Sequence, residues 1–530
     1  MRNYYVTLLL LLLPLMSFSK TIRVLAIGNS FSEDAVEQYL YELCANTEDK
    51  LIIGNAYRGG QGLESHWNAV VSNNAAFEYR KIVDGNRTNT KKKILKNIIT
   101  DEPWDIITLQ QVSQDSGLEL TYEPYLTNLI NYVKENATNP ELKFGLHQTW
   151  SYAQDSNHGG FANYGNNQMT MYNAIVKAVN KAKEAHPEIV YIVPVGTAIQ
   201  NARTTIMGDN LNRDGFHLEK GVGRYIAACT WMEILTGKSV VGNEYRPYVV
   251  DATAALMAQK AASYAVQNPN SVTNMKNEGY DSDNTIVPEN RINLNLGGII
   301  SKSEKWNNIT QSIKVIANMK DEQGKETGIV TLYNDRFNDT NAEGKIPTNT
   351  EMNMPDDVAK SCFWSYAKGK FLNFPQDYSG GVLFTHLNKS LTYDFLIFGS
   401  RKAGDYRETI YTLVGGNEKS GALNTADNTD RVLKLEGMKP NDKGEIQLTV
   451  TPGENNTNAF KFYHINALQI IAKASEADGI GDLTSSSEEL ENSRNNLVST
   501  VGGIVIDSNK AKNNLNKGLY ITQSKKVVVY

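Results

Sequence analysis

The chain has 530 residues, too many for one ordinary hydrophobic core, so two or three domains are expected. Hydrophobic residues make up 41% and charged residues 21%, as in soluble globular proteins. The formal net charge of −5 argues against the concentrated basic surface of a nucleic-acid-binding protein, so no nucleic-acid partner is predicted.

The first 19 residues have the three parts of a secretory signal peptide. Arg2 supplies a positive charge, residues 6–15 form an apolar run too short to span a bilayer, and Ser17 and Ser19 are small residues suited to a cleavage point. We therefore expect residues 1–19 to be removed and the mature protein to be secreted. No later segment has the length and hydropathy of a membrane span.

Residues 20–268 alternate short apolar runs with helical patterns, which predicts an α/β domain with a parallel sheet and helices on both faces. Ser32 is the predicted N-cap of the first helix, and Asp84-Gly85 is the predicted turn of a β-hairpin. Ligands of such sheets bind outside the carboxyl ends of the strands. The expected strands cover residues 22–27, 51–53, 105–109, 143–146 and 189–195.

After this region the pattern changes. Residues 269–290 are polar and rich in Asn, which indicates a linker, and residues 291–473 show short strands between turn signals, as in an all-β sandwich or jelly roll. A second linker is predicted over residues 474–495 and a short C-terminal β segment over residues 496–530. We expect the rings of Phe363, Trp364 and Tyr366 in the sandwich core, with a sugar-stacking surface as the alternative.

Four short segments follow predicted strands of the α/β region. Because parallel strands bring their carboxyl ends to one edge of a sheet, the four should form one site. Each by itself is an ordinary turn or helix cap, and it is their order after successive strands that favours catalysis. The segments are Gly-Asn-Ser-Phe at residues 28–31, Arg-Gly-Gly-Gln-Gly at 58–62, Gln-Gln-Val-Ser-Gln at 110–114 and Asp-Gly-Phe-His at 214–217.

Together these segments contain the groups that acyl transfer needs. The Ser30 hydroxyl is a weak nucleophile until a base such as His217 removes its proton. A carboxylate, here Asp214, fixes the histidine tautomer and stabilises the imidazolium. The oxyanion donors would be the backbone N–H groups of Ser30 and Gly60 and one glutamine side chain. The sequence therefore predicts a serine hydrolase site.

The four segments resemble the sequence blocks of the GDSL/SGNH hydrolase superfamily, over residues 21–237. The resemblance implies a flavodoxin-like three-layer sheet, with Ser30 as nucleophile, Gly60 as an oxyanion donor, and Asp214 and His217 completing the triad. The family's usual Gly-Asp-Ser-Leu is Gly-Asn-Ser-Phe here.

The third block departs from the family, because its usual Gly-x-Asn-Asp is absent. Aligned from Asp105, the family's asparagine falls on Gln114, which we take as the third oxyanion donor. Gln110 and Gln111 remain rivals for this role. A side-chain amide can donate a hydrogen bond without carrying charge, so any of the three has suitable chemistry.

Three further residues are candidate substrate contacts. His147 and Trp150 follow the fourth strand, where a ring could stack on a sugar face, although Trp150 could equally pack against the next helix. His66 follows the glycine-rich loop. The seven histidines are scattered and form no pair with metal-ligand spacing, so neither a metal nor a cofactor is predicted.

The flanking regions suggest where the protein works. The β-rich region resembles galactose-binding jelly-roll modules attached to secreted glycan-active enzymes. The tail from Gly518 is similar to the end of sorting modules on secreted proteins of certain Gram-negative bacteria. We therefore expect a periplasmic, extracellular or cell-surface location in a Gram-negative bacterium.

The predicted function is a secreted serine esterase that removes O-acetyl or similar acyl groups from a glycan or polysaccharide through an acyl-enzyme. The β-rich region is expected to be a separable accessory to that activity. The alternatives are a catalytically decayed glycan-binding protein and an acyl hydrolase of the lipase or thioesterase type, because a triad does not name its substrate.

Overall fold

The structure is a computed structural model that describes residues 20–47, 49–276 and 285–475, together with the backbone of four C-terminal strands. The predicted signal peptide lies outside the described residues, as do most of the second predicted linker and part of the first. The C-terminal strands form one antiparallel sheet in the order β23-β22-β24-β25. They are β22 (Val498–Thr500), β23 (Val505–Ile506), β24 (Gly518–Thr522) and β25 (Lys525–Val529).

A seven-stranded sheet organises the first part of the chain, in the order β4-β3-β2-β1-β5-β6-β7. The five strands from β2 to β7 in this order run parallel, while β3 and β4 form an antiparallel extension. The predicted parallel sheet is therefore confirmed. The strands are β1 (Thr21–Gly28), β2 (Lys50–Tyr57), β3 (Phe77–Val83), β4 (Asn86–Lys93), β5 (Ile106–Leu109), β6 (Lys143–His147) and β7 (Ile189–Val193).

Local chemistry explains the strand ends. The hairpin turns at Asp84 and Gly85, as predicted, with φ of 49° and 74°, the left-handed values that a two-residue type I′ turn requires. The fifth predicted strand is two residues too long, because β7 ends at Val193 and Pro194 leads directly into a helix. All four residues of β5 are buried, as expected for a strand covered on both faces.

Nine α-helices are described between β1 and the β-rich region. The first is capped by Asn29, whose side chain accepts a hydrogen bond from the Phe31 N–H at 3.0 Å, so the prediction of Ser32 as N-cap is wrong. Ser32 lies inside the first turn and donates to the Asn29 carbonyl. The helices are α1 (Ser30–Val36), α2 (Leu40–Ala45), α3 (Leu63–Val71), α4 (Leu95–Ile99), α5 (Tyr125–Asn136), α6 (Gln168–Ala185), α7 (Val195–Arg203), α8 (Val222–Thr236) and α9 (Ala252–Gln267).

The second part of the chain is β-rich. Its strands form sheets in the orders β10-β11-β14-β19-β16-β17, β18-β15-β21-β8-β9 and β12-β13-β20. The elements are β8 (Arg291–Leu296), β9 (Asn307–Ile309), β10 (Val315–Ile316), β11 (Val330–Asp335), β12 (Asp339–Asn341), α10 (Asp356–Lys360), β13 (Cys362–Tyr366), β14 (Gly380–Thr385), β15 (Leu391–Phe398), β16 (Glu408–Val414), β17 (Glu418–Asn424), β18 (Leu433–Met438), β19 (Ile446–Pro452), β20 (Phe462–Ile465) and β21 (Ala467–Ala474).

The aromatic residues of β13 lie in the interior of this region. Phe363 is fully buried, Tyr366 is 1% exposed and Trp364 is 9% exposed. Trp364 makes T-shaped ring contacts with Phe371, Phe374 and Phe462. The interpretation of these rings as core residues is therefore confirmed, and a sugar-stacking surface on them is excluded.

The two parts of the chain pack against each other. Val315 and Ala317 of the β-rich region belong to the hydrophobic core of the α/β region. The Ala317 N–H donates to the Asp251 carboxylate at 2.8 Å, and the Lys220 N–H donates to the Ser312 carbonyl at 2.7 Å. The linker predicted from the sequence therefore lies between two sets of strands, but the α/β region and the β-rich region still pack against each other.

No helix among the described residues is long and apolar enough to cross a bilayer. The three cysteines, Cys44, Cys229 and Cys362, are buried free thiols. Burial raises the pKa of each thiol, which keeps it protonated and unreactive.

Candidate active site

The serine predicted as nucleophile stands at the carboxyl end of β1, where α1 begins. Asn29, just before it, is 1% exposed and makes hydrogen bonds through both its side-chain oxygen and its side-chain nitrogen. Its Oδ1 accepts from the Phe31 N–H at 3.0 Å and from Gln110 Nε2 at 2.8 Å, and its Nδ2 donates to the Gln61 carbonyl at 2.9 Å. One asparagine therefore ties together three of the four segments singled out in the sequence.

The structure brings Ser30, His217 and Asp214 into a continuous hydrogen-bonded chain. Ser30 Oγ lies 2.8 Å from His217 Nε2, and His217 Nδ1 lies 2.7 Å from Asp214 Oδ2. The other carboxylate oxygen of Asp214 accepts from the backbone N–H groups of His217 at 2.8 Å and Phe216 at 3.2 Å. The three side chains are spaced as a base between a nucleophile and an orienting carboxylate.

The charge of Asp214 fixes the roles along this chain. Burial by itself raises the pKa of this carboxyl, but hydrogen bonds from the side chain and backbone of His217 outweigh it and hold the pKa at about 2. An ionised Asp214 can only accept, so Nδ1 of His217 carries a proton. In the neutral imidazole Nε2 is then the acceptor and can take the Ser30 proton.

A buried aspartate that the sequence reasoning missed locks this arrangement. Asp34 is fully buried on α1, four residues after Ser30. Its carboxylate accepts from the Leu218 N–H at 2.8 Å and from Arg213 at 2.9 Å, and it also pairs with Arg224. The nucleophile helix and the histidine loop are thus joined through one side chain. The sequence signal that could have identified Asp34 was an acidic residue on the buried face of a predicted helix.

A cavity of about 280 Å³ opens above the serine. Ser30 and His217 line it, together with the glycine loop and Gln114. Gly60 adopts φ of 67° in a turn closed by the Gln61 N–H on the Arg58 carbonyl at 3.2 Å. Within the described part of the chain, the backbone N–H groups of Ser30 and Gly60 have no acceptor, so both are available to an oxyanion.

The three candidate glutamines differ in what their amide groups contact. Gln110 donates to Asn29, as above, and Gln111 donates to the carbonyl and hydroxyl of Thr121 at 2.9 and 3.0 Å. Only Gln114 lines the cavity, and its amide nitrogen donates to no residue that the structure describes. The geometry therefore favours Gln114 over its two rivals.

Trp150 does not line the cavity. It is completely buried, stacks on Phe31 with ring centroids 4.2 Å apart, and donates its indole N–H to the Phe216 carbonyl at 2.7 Å. Its assignment as a substrate contact is corrected accordingly, because the ring packs beneath the site instead of facing it. The alternative of packing, raised from the sequence, is the one the structure favours.

His147 and His66 are also buried beneath the surface and are corrected in the same way. His147 donates from Nδ1 to Gln110 Oε1 at 2.8 Å and so supports Asn29 indirectly. His66 stacks on Phe77 at 5.5 Å. Burial lowers the pKa of each imidazole to about 3, which keeps both neutral, and neither lines the cavity.

Tyr57, Phe216 and His158 line the cavity although the sequence reasoning did not select them as contacts. His158 lies in the long connection between β6 and α6, away from any strand end, so position alone gave no signal. Across the described ranges, no three His, Cys, Asp or Glu side chains are grouped so as to hold a metal ion.

The fold and the site define an α/β protein with a serine, a histidine and an aspartate in hydrogen-bond contact at the carboxyl edge of a parallel sheet. The family described as "Domain of unknown function (DUF4886)" matches residues 23–265. A solved DUF4886 family protein from Bacteroides uniformis ATCC 8492 is 47% identical, with 48% of this chain and 98% of that chain covered and a TM-score of 0.47. The chain belongs to the DUF4886 family.

Two other solved proteins are similar at much lower identity. One is a predicted SGNH hydrolase from Slackia heliotrinireducens, 18% identical, with 41% of this chain and 99% of that chain covered and a TM-score of 0.28. The other is an acetylxylan esterase from Geobacillus stearothermophilus, 12% identical, with 44% and 100% covered and a TM-score of 0.28. No curated protein matches the chain.

Proposed function

We propose that this protein is a serine esterase of the SGNH type that removes O-acetyl or similar short acyl groups from a glycan. The observation that carries the proposal is the chain Ser30–His217–Asp214, with both hydrogen bonds below 3 Å, at the floor of an open cavity. A protein that had lost its activity would not be expected to keep a histidine aligned with the serine. This geometry therefore favours an active enzyme over the alternative of a catalytically decayed glycan-binding protein.

Acylation follows from the geometry. His217 Nε2 accepts the Ser30 proton while Oγ attacks the ester carbonyl carbon, and the carbonyl oxygen becomes an oxyanion. The N–H groups of Ser30 and Gly60 and the amide of Gln114 are the donors available to it. As the intermediate collapses, His217 returns the proton to the departing alkoxide, the ester C–O bond breaks, and the acyl group stays on Ser30.

Deacylation repeats the sequence with water. His217 accepts a proton from the water, whose oxygen attacks the acyl carbon, and the same donors hold the second oxyanion. The Ser30 Cβ–Oγ bond is untouched, while the acyl C–Oγ bond breaks and Oγ recovers the proton from His217. The products are the free carboxylic acid and the regenerated serine, with Asp214 charged throughout.

Two features support the SGNH type. The parallel strands follow the order β2-β1-β5-β6-β7, which is the order 2-1-3-4-5 of flavodoxin-like sheets that the sequence resemblance implies. The serine, the glycine loop, the glutamine loop and the histidine loop meet at the carboxyl edge of that sheet.

The substrate class rests on context. A cavity of about 280 Å³ suits a short acyl group, whereas a lipase would need a longer apolar groove. The predicted signal peptide and the β-rich region favour an extracellular glycan as the alcohol. We propose that the protein is secreted to a periplasmic, extracellular or cell-surface location in a Gram-negative bacterium.

The test is ester hydrolysis by purified protein. We expect the wild type to hydrolyse p-nitrophenyl acetate and to release acetate from some members of a panel of acetylated polysaccharides. Ser30→Ala should lower kcat by about 1000-fold or more, as removal of a triad nucleophile does. Ser113→Ala is the matched control for a cavity serine without a base, because the Ser113 hydroxyl contacts Tyr152 at 2.8 Å and Gln114 at 3.4 Å, so its loss should lower kcat far less. Equal turnover in Ser30→Ala and the wild type would overturn the proposal.

A further inference from the structure

We propose that His158 is a substrate-binding residue that donates a hydrogen bond from Nε2 to an oxygen of the alcohol portion of the ester. The proposal rests on the esterase function above and goes one step further, because it assigns the group that selects a sugar alcohol over a simple one. It starts from the second imidazole of the cavity, which the triad chemistry does not use.

The proton of His158 is placed by its own loop. The ring nitrogen Nδ1 accepts the Gly160 N–H at 3.1 Å, where His158 caps the short 3-10 helix Gly159–Tyr164. A neutral imidazole has one proton, so with Nδ1 as acceptor that proton lies on Nε2. Burial, followed by the neighbouring His217, lowers the pKa of His158, which favours this neutral form near pH 7.

The ring is held in place from two sides. Its centroid lies 4.8 Å from that of Phe216 and 4.9 Å from that of Tyr152, and Phe216 lies in turn 4.1 Å from His217. The Nε2 atom makes no hydrogen bond to any residue in the described ranges. A positioned donor without a protein partner, on the wall of a cavity, is suited to a ligand oxygen.

The neighbourhood of His217 decides which part of the ester this oxygen belongs to. The leaving alkoxide must lie beside His217, because that imidazole protonates it. The two backbone oxyanion donors belong instead to the start of α1 and to the glycine loop. Phe216 contacts both the His158 and the His217 rings, so His158 borders the His217 side of the cavity, and we assign its donor to the alcohol. A sugar offers hydroxyl and ring oxygens next to the ester oxygen, whereas p-nitrophenol offers none there.

The experiment compares two substrates and two variants. We expect His158→Phe, which keeps a flat ring but loses the donor, to lower kcat/KM for a monoacetylated methyl glycoside by about tenfold, chiefly through KM. Its kcat/KM for p-nitrophenyl acetate should stay close to that of the wild type. His158→Gln, which retains an amide donor near the Nε2 position, should recover most of the loss on the sugar ester.

Three results would overturn the proposal in different ways. Equal losses on both esters with His158→Phe would make the residue structural or an oxyanion donor. Unchanged kinetics on both esters would show that the donor is not used. A wild type that hydrolyses neither ester would overturn the esterase function itself and this inference with it. Thermal unfolding of the variants checks that they are folded, and if His158→Phe is not, His158→Leu, which also lacks the donor, takes its place in the same comparison.

Discussion

The α/β region and the β-rich region fill their interiors differently. The α/β region buries charged side chains beside the site, among them Asp34 and Arg224, which pair with each other where α1 meets the histidine loop. The β-rich region packs rings around Trp364 and Tyr366, which belong to a cluster of their own. Burying a charge is costly unless it is paired and hydrogen-bonded, so a protein retains buried charges where they set a geometry.

The comparison indicates which buried interactions position the catalytic groups and which contribute only to stability. The charges of the α/β region hold the serine and histidine segments against each other, while the rings of the β-rich region hold only that region together. The β-rich region also buries charged side chains, at Lys314, Asp321 and Glu408, and Lys314 is informative because it lies at the interface between the two regions. It lies beside the buried Glu219 carboxylate, two residues after His217, and opposes the rise that burial causes in the pKa of that carboxyl.

The largest effect is expected from breaking the charge cluster. Asp34→Asn leaves Arg213 and Arg224 without their buried counter-charge, so the free energy of unfolding should fall by about 3–5 kcal/mol. A shift of the histidine loop by about 1 Å should also lower kcat/KM about 100-fold. Urea unfolding and p-nitrophenyl acetate kinetics measure the two.

Glu33→Gln is the control for this experiment. Glu33 is on the same helix and pairs with Arg80 at 2.7 Å, while its contact with Arg224 is long, at 4.0 Å. Its side chain is 30% exposed, so the change should cost about 1 kcal/mol or less. If Asp34→Asn were as mild as this control, Asp34 would not be the lock between the two segments.

Trp364→Ala probes the other interior. Removing a buried tryptophan from the ring cluster should cost about 3–5 kcal/mol in the unfolding of the β-rich region. Turnover of p-nitrophenyl acetate should stay near the wild-type value at temperatures where the variant is folded. Tyr406→Ala is the control, because that ring is 43% exposed and should contribute little. A large loss of turnover in folded Trp364→Ala would show that the interior of the β-rich region also supports catalysis, which contradicts the proposed division of roles.

Gln114→Ala separates a catalytic amide from its structural neighbours. We expect kcat to fall about 100-fold with little change in KM or melting temperature, as for an oxyanion donor. Gln111→Ala should instead lower the melting temperature, because the Leu63 and Val112 N–H groups lose their acceptor. The reverse pattern of the two variants would transfer the oxyanion role to Gln111.

The smallest and most specific effect is expected for the pH dependence of stability, through the titration of Glu219. Burial raises the pKa of this carboxyl to about 7, so the folded protein holds a proton that the unfolded chain releases from about pH 4.5. Stability should therefore fall as pH rises from 5 to 7.5, by about 2–3 kcal/mol from this group. Burial lowers the pKa of Lys314 to about 8, and that titration adds stability only above this window.

The check is urea unfolding of the wild type and Glu219→Gln at pH 5 and 7.5. The variant should lose less stability between the two pH values, since its amide does not titrate. Glu244→Gln at an exposed position is the control and should follow the wild type. A variant with the full wild-type pH dependence would show that the interface carboxylate does not titrate in this range.

Much of the fold was predictable because its signals are local. Apolar runs gave the five parallel strands, and Asp84-Gly85 gave the hairpin through the positive φ that both residues adopt. The N-cap of α1 was not predictable to the residue. Asn29 and Ser32 are both capping types, and contacts to Gln61 and Gln110 from distant loops favour Asn29.

The same division applies to the site. By itself the sequence determined that a serine, a glycine loop, a glutamine loop and an Asp-x-x-His segment follow successive strands, because parallel strands bring their carboxyl ends to one edge. Only the tertiary structure decided which side chains face the cavity. Gln110, His147 and Trp150 turned inward, while Gln114 and His158 line it. A side chain turns toward the partners that satisfy its polar atoms, and those partners come from loops far apart in the sequence.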